Sequence, residues 1–148
     1  MIIKNGLVID PASGLSEKMD LLIEDGIIKE MASLITKEGE EVLDAAGLVV
    51  APGLIDTHVH FRDPGFTYKE TIHTGALASA KGGFTSVICM ANPSPTVDSV
   101  PVLKDNLSRA SKEKIRIFQA ASISCNLKGQ EETDMDALKE AGACGFTD

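Results

Sequence analysis

The hydrophobic rhythm of the chain changes near position 53. Before it, short apolar runs flank glycine-bearing turns. Ile2-Ile3 and Leu7-Val8-Ile9 bracket Asn5-Gly6, and Leu21-Leu22-Ile23 and Ile27-Ile28 bracket Glu24-Asp25-Gly26. Val42-Leu43 and Leu48-Val49-Val50 bracket Ala45-Ala46-Gly47. Asn-Gly and Asp-Gly between apolar runs are strong hairpin signals, because type I′ turns need positive φ. Residues 1–52 therefore read as a small antiparallel β unit, with Asp10-Pro11 and Ser13-Gly14 marking a loop between its early strands.

From residue 53 apolar β runs alternate with helix-like stretches. The pattern predicts strands over 54–59, 85–90 and 115–123, and a fourth over 144–147. It predicts helices over 69–81, 102–111 and 135–141. The first would bury Ile72, Ala76, Leu77 and Ala80 and stop at Gly82-Gly83. The second strand is apolar along most of its length, as a strand covered on both faces would be. Such alternation is the mark of parallel βαβ construction with right-handed crossovers. A (β/α)8 TIM barrel needs about 250 residues. Residues 53–148 thus read as either a small open sheet or the first part of a barrel, some three βα units and a fourth strand.

Composition narrows the function classes. The 148 residues carry 14 basic and 22 acidic side chains, a net charge of −8 with no basic block. That argues against nucleic acid or an anionic membrane surface as partner. No apolar run approaches the length of a membrane span, and no signal peptide is visible, so a cytoplasmic location is expected. Cys89, Cys125 and Cys144 form no C-x-x-C pair and read as buried small hydrophobes rather than ligands.

The candidate chemistry sits where the rhythm changes. In Asp56-Thr-His58-Val-His60, strand alternation puts both imidazoles on one face at the strand's carboxyl end. They would form either a metal site or a hydrogen-bonded pair. Barrel enzymes place their active sites at that end. Asp56 shares this face and would either orient an imidazole or accept backbone hydrogen bonds. Arg62 and Asp63 follow in the next loop, where the guanidinium could hold a carboxylate or close a loop ion pair. Asn92, after the second strand, could read a carboxylate or cap a turn. Asp148, after the fourth, could approach the histidines or fray. His73 falls inside the first helix and reads as surface or packing.

The run APGLIDTHVHFRDPGFTYKETIHTGALASAKGGFTSVICMANPSP resembles the metal-dependent dihydroorotases of the amidohydrolase superfamily, as does the closing ALKEAGACGFTD. The β-rich opening is similar to the small β-sandwich that precedes the barrel in that superfamily. D-x-H-x-H belongs to the whole superfamily, whereas HFRDPG is narrower. The resemblance implies a β-sandwich segment over 1–52 and the beginning of a TIM barrel over 53–148.

For the site, it implies one or two zinc ions, or other divalent metals, on His58 and His60. Arg62 and Asn92 would hold the substrate carboxylate. Asp148 aligns with the first of two family aspartates, so it is a less favoured metal ligand than the residue after it. The general-base aspartate is expected beyond residue 148.

The implied reaction is reversible cyclisation of N-carbamoyl-L-aspartate to L-dihydroorotate, with release of water, in de novo pyrimidine synthesis. The 148 residues alone would be inactive. The alternatives are another cyclic amidohydrolase, such as an allantoinase or hydantoinase, and a non-catalytic dihydroorotase-like partner subunit. The expected partner is a small-molecule substrate; a homodimer or association with another pyrimidine-pathway enzyme is left open. Pro93 stands where the family usually has Thr, Asp63 where glutamate is commoner, and His73 where an acidic residue is frequent.

Overall fold

The computed structural model describes residues 1–148, which divide into two units, Met1–Pro52 and Gly53–Asp148. The first unit is one five-stranded mixed sheet. Strands β1 (Ile2–Asp10), β2 (Leu15–Glu24) and β3 (Ile27–Ala32) run antiparallel, while β4 (Val42–Asp44) and β5 (Val49–Val50) both pair parallel to β1.

The two strongest turn signals part ways here. Asp25 (φ 52°) and Gly26 (φ 72°) make the hairpin between β2 and β3. Asn5 (φ 64°) instead sits in a bulge inside the continuous β1, where the register with β2 shifts between Ile3 and Gly6. Its neighbours explain this. The Asn5 amide N–H donates to Asp20 Oδ1 at 2.9 Å, and its Nδ2 donates to Asp44 Oδ1 at 2.9 Å. A Cβ on Gly6 would lie 2.5 Å from Val50 Cγ2, so glycine lets β5 come close. The expected antiparallel unit is therefore mixed. Its β4 and β5 are successive segments along one edge of β1 rather than arms of a hairpin, and residues 1–52 contain a single sheet rather than two facing ones.

The second unit begins with β6 (Leu54–Val59), followed by α1 (Ile72–Lys81), β7 (Phe84–Cys89), α2 (Val100–Ala110), β8 (Arg116–Gln119) and α3 (Met135–Glu140). The strands form a parallel sheet in the order β6-β7-β8. Helix α1 starts three residues later than its hydrophobic pattern suggests. Thr71 and Thr74 form a reciprocal capping box that satisfies the first free amides. Its buried face is Ile72, Gly75 and Ala76, whereas Leu77 and Ala80 are exposed. Gly75 is where Phe61 lands: a Cβ there would lie 2.3 Å from the ring.

Phe61, Ile72, Ala76, Val87, Cys89 and Ile115 form one core cluster. A second joins Ala91, Val97, Leu103, Ala121 and Leu138. Along β7, Val87 and Cys89 are buried on one face, whereas Phe84, Ser86 and Ile88 on the other are only half-buried, so the strand is not fully covered on both faces.

Strand β8 ends at Gln119, earlier than its apolar run. Beyond it the backbone turns to other partners, and Ser122 N–H donates to Val97 O at 2.8 Å. The fourth strand is reduced to one parallel bridge, Ala121 to Phe146, with Cys144 N–H donating to Gln119 O at 3.0 Å. Of the cysteines only Cys89 is buried; Cys125 is partly exposed and Cys144 exposed. No helix is long and apolar enough to cross a membrane.

Candidate metal and substrate site

Strand β6 carries His58 on its last turn of pleat, and His60 follows the strand. Val59 between them packs against the first core cluster, so the imidazoles take the opposite face. Their Nε2 atoms approach to 3.3 Å, with the rings 5.0 Å apart and inclined at 71°. Two ligands bound to one tetrahedral zinc at about 2.0–2.1 Å stand about 3.3–3.4 Å apart. The pair has the spacing of two positions on such an ion, and equally that of a direct imidazole–imidazole hydrogen bond.

Asn92 strengthens that match. Its Oδ1 lies 2.9 Å from His60 Nδ1. With the amide oxygen facing the ring, the contact fits the Nδ1–H tautomer of His60, which leaves the Nε2 lone pair turned toward His58. A metal-ligating histidine is commonly held by such a partner. The Nδ2 group of Asn92 has no partner within the chain and remains available as a donor. Asp56 does not touch an imidazole; its Oδ1 accepts the His58 amide N–H at 3.0 Å.

His58, His60, Met90, Asn92, Leu127, Thr147 and Asp148 line one cleft of about 130 Å³. Asp148 reaches the rim, yet its carboxylate is already occupied. Oδ1 accepts the amides of Ile123 and Ser124 at 3.0 Å, and Oδ2 accepts the Ser124 hydroxyl at 2.5 Å. The hydroxyl contact, followed by the Ser124 amide, holds the Asp148 carboxyl below its ordinary value. Its bonds tie the chain's last residue to the loop after β8. No group of three or more His, Cys, Asp or Glu side chains converges on a point. The two imidazoles account for half of a zinc ion's usual four positions.

Arg62, two residues past His60, does not line this cleft; it is partly exposed, and its guanidinium makes no ion pair or hydrogen bond within the chain. The ion pair of this loop belongs to Asp63, which meets Arg109 at 2.7 Å. His73 projects outward and pairs with Glu113 at 3.1 Å, away from the cleft.

Sequence reasoning passed over Gln119 and Ser124. The Gln119 amide, buried at the end of β8, donates towards the carbonyls of Cys89, Met90 and Ala120 at 2.9–3.1 Å. It thereby holds the backbone two residues before Asn92. A polar residue closing an apolar strand run was the available signal. The Cys89 thiol, buried in the first core cluster beside Ile72 and Ala76 of α1, is pushed up to about 12 by desolvation.

A family model described as dihydro-orotase-like matches residues 47–148. The chain is 57% identical over 148 residues to a dihydroorotase of Streptococcus pneumoniae and 51% identical to one of Streptococcus thermophilus. Both alignments cover 100% of this chain and 35% of the relative, so the chain spans about a third of their length. Among solved structures, an L-hydantoinase from Arthrobacter aurescens superposes with a TM-score of 0.84 at 24% identity, over 98% of this chain and 32% of that one. A dihydroorotase superposes with a TM-score of 0.69 at 15% identity, over 98% and 41% respectively. At these identities the structural likenesses speak to the fold alone.

Proposed function

We propose, from the premise that this chain belongs to the dihydro-orotase-like family, that it supplies the first metal-binding strand and the substrate-carboxylate loops of a dihydroorotase. The reaction is the reversible closure of N-carbamoyl-L-aspartate to L-dihydroorotate with loss of water, a step of de novo pyrimidine synthesis in the cytoplasm. Residues 1–52 would be part of a β-sandwich and residues 53–148 the opening of a (β/α)8 barrel. The relatives' greater length supports this reading of the parts.

The observation that carries the proposal is the His58–His60 pair. Its Nε2 atoms stand 3.3 Å apart, and one ring is fixed from behind by Asn92. His58 and His60 would hold zinc through Nε2. Zinc, when bound, lowers the pKa of water toward about 7 and polarises a carbonyl.

The chain's own side chains bind and orient. Arg62, with no internal partner, presents a planar fork suited to a carboxylate. Asn92 uses its oxygen on His60 and offers its Nδ2 hydrogens to the same carboxylate. Fixing the charged end of the substrate turns a flexible open-chain acid into one poised for ring closure. The general-base aspartate is assigned to the part of the relatives that this chain does not span. Residues 1–148 alone are accordingly proposed not to turn substrate over.

Arg62→Ala in the active full-length protein, assayed with dihydroorotate and with a hydantoin lacking the carboxylate, tests the substrate. We expect kcat/KM for dihydroorotate to fall by roughly 100-fold or more and that for any hydantoin turnover to change little. Equal loss on both substrates would refute the carboxylate role.

A further inference from the structure

The two residues proposed to hold the carboxylate come from different loops, Arg62 after β6 and Asn92 after β7. These loops are joined to each other and to the helices. Ser94 N–H donates to Pro64 O at 3.0 Å, a direct backbone link between them. At the same place Gly65 adopts φ +92°, and a Cβ on it would lie 2.2 Å from Ser94 O and 2.5 Å from Ser94 Cβ. Only glycine combines that backbone conformation with that close an approach. Phe66 N–H donates to Arg62 O at 2.8 Å and closes the turn on which Arg62 sits.

On its other side the first loop is anchored by Asp63. Its carboxylate is largely covered, with 13% of the side chain exposed. Oδ1 accepts from Arg109 Nη1 at 2.7 Å, and Oδ2 accepts the Ile72 amide N–H at 3.3 Å. Arg109 lies in the last turn of α2 and also meets Asp105 at 2.7 Å. One carboxylate thus ties the loop to the start of α1 and the end of α2. Neighbouring Arg62 is left with no tie of its own. The fixed backbone, rather than a partner for the guanidinium, restricts where Arg62 can reach.

Resting on the substrate reading above, we propose that Asp63 and Gly65 are positioning residues that lock the Arg62 and Asn92 loops into one carboxylate clamp. Asp63 sets the loop against the helices, and Gly65 sets the loop against Ser94. Neither touches substrate. Their effect is on the span between a guanidinium and an amide that must close on the same anion.

The coupling is tested first without substrate, in the 148-residue chain. Side-chain NMR signals of Arg62 Nε and Asn92 Nδ2 and amide exchange at Ser94 are followed in Arg109→Met and in Gly65→Ala. We expect both side-chain signals to shift together and Ser94 exchange to accelerate about tenfold or more, with the amides of β1 and β2 unmoved. Arg109→Lys, which keeps a cation, should give a smaller change. An Arg62 shift with Asn92 and Ser94 unchanged would overturn the proposal. Arg109→Met, at a half-exposed position, keeps the test usable if Gly65→Ala does not fold.

In the active full-length protein the same variants should raise KM by about tenfold, with kcat and bound metal kept within about twofold. Loss of metal in parallel with activity would also overturn it. The two readings fail separately. An unchanged KM in Arg62→Ala defeats the carboxylate role, whereas uncoupled NMR responses defeat the clamp.

Discussion

The two units solve the same problem, burying one face of a sheet, with different resources. In Gly53–Asp148 the crossover helices supply the cover, and two clusters of buried side chains form against β7 and α2. In Met1–Pro52 there is no helix. The buried cluster is Ile2, Leu22 and Ile35, and Ile27, Ile28, Met31, Leu48 and Val49 remain exposed. A buried carboxylate organises that sheet instead: Asp20, 3% exposed, accepts the amides of Ile35 at 3.0 Å and Asn5 at 2.9 Å. Where apolar volume is scarce, a charged acceptor that satisfies one amide of β1 and one of the segment after β3 does the specifying. In the helix-covered unit His58, His60 and Asn92 stand at or just past the carboxyl ends of the first two strands, where they line a cleft, while Asn106 stays buried within α2.

Breaking each unit at its own point sharpens that contrast. Leu103 on α2 is wholly buried, and Leu103→Ala should cost about 3 kcal/mol through lost packing and a residual cavity. Amide exchange across β7 and β8 reads the loss, and a cost below about 1 kcal/mol would show that the cluster collapses to fill the space.

Asp20→Ala should cost about 2 kcal/mol, read as faster exchange at the Asn5 and Ile35 amides. The Ile35 amide, then that of Asn5, holds the Asp20 carboxyl below its ordinary value of 3.8. Its stabilisation is therefore complete above that value and is lost as pH falls through the lower folded-state value. Acid unfolding of the β1–β2 amides that persists unchanged in Asp20→Asn would contradict this.

The smallest effect concerns the thiols. Cys144 should react with an alkylating reagent in the native state, while Cys89, pushed up to about 12 by burial, should react only after unfolding. Native modification of Cys89 would mean that α1 opens from β7.

Much of this architecture was legible in one dimension. The range 54–59 for β6 followed from its apolar run and the glycine before it, and the histidine pair on one face followed from strand period alone. The Asp25-Gly26 hairpin followed from turn chemistry. Asn5-Gly6 carried the same local signal and became a bulge, because Asp20, Asp44 and Val50, all distant in sequence, converge on it. Strand β8 stops short of its apolar run for a related reason. Apolar residues continue to Ile123, but the ladder partners do not.

By itself, then, the sequence determined the alternation of elements, the change of class at residue 53 and the common direction of His58 and His60. Those depend on periodicity and on residue type, which act over a few positions. Tertiary structure decided the rest. It turned Asn92 toward His60, consumed Asp148 in the Ser124 loop, and gave the loop ion pair to Asp63 and Arg109 rather than to Arg62. Each of those outcomes is a competition among polar groups for partners far apart in the chain. Such a competition is settled by which backbone brings donor and acceptor within 3 Å, and no local pattern encodes that distance.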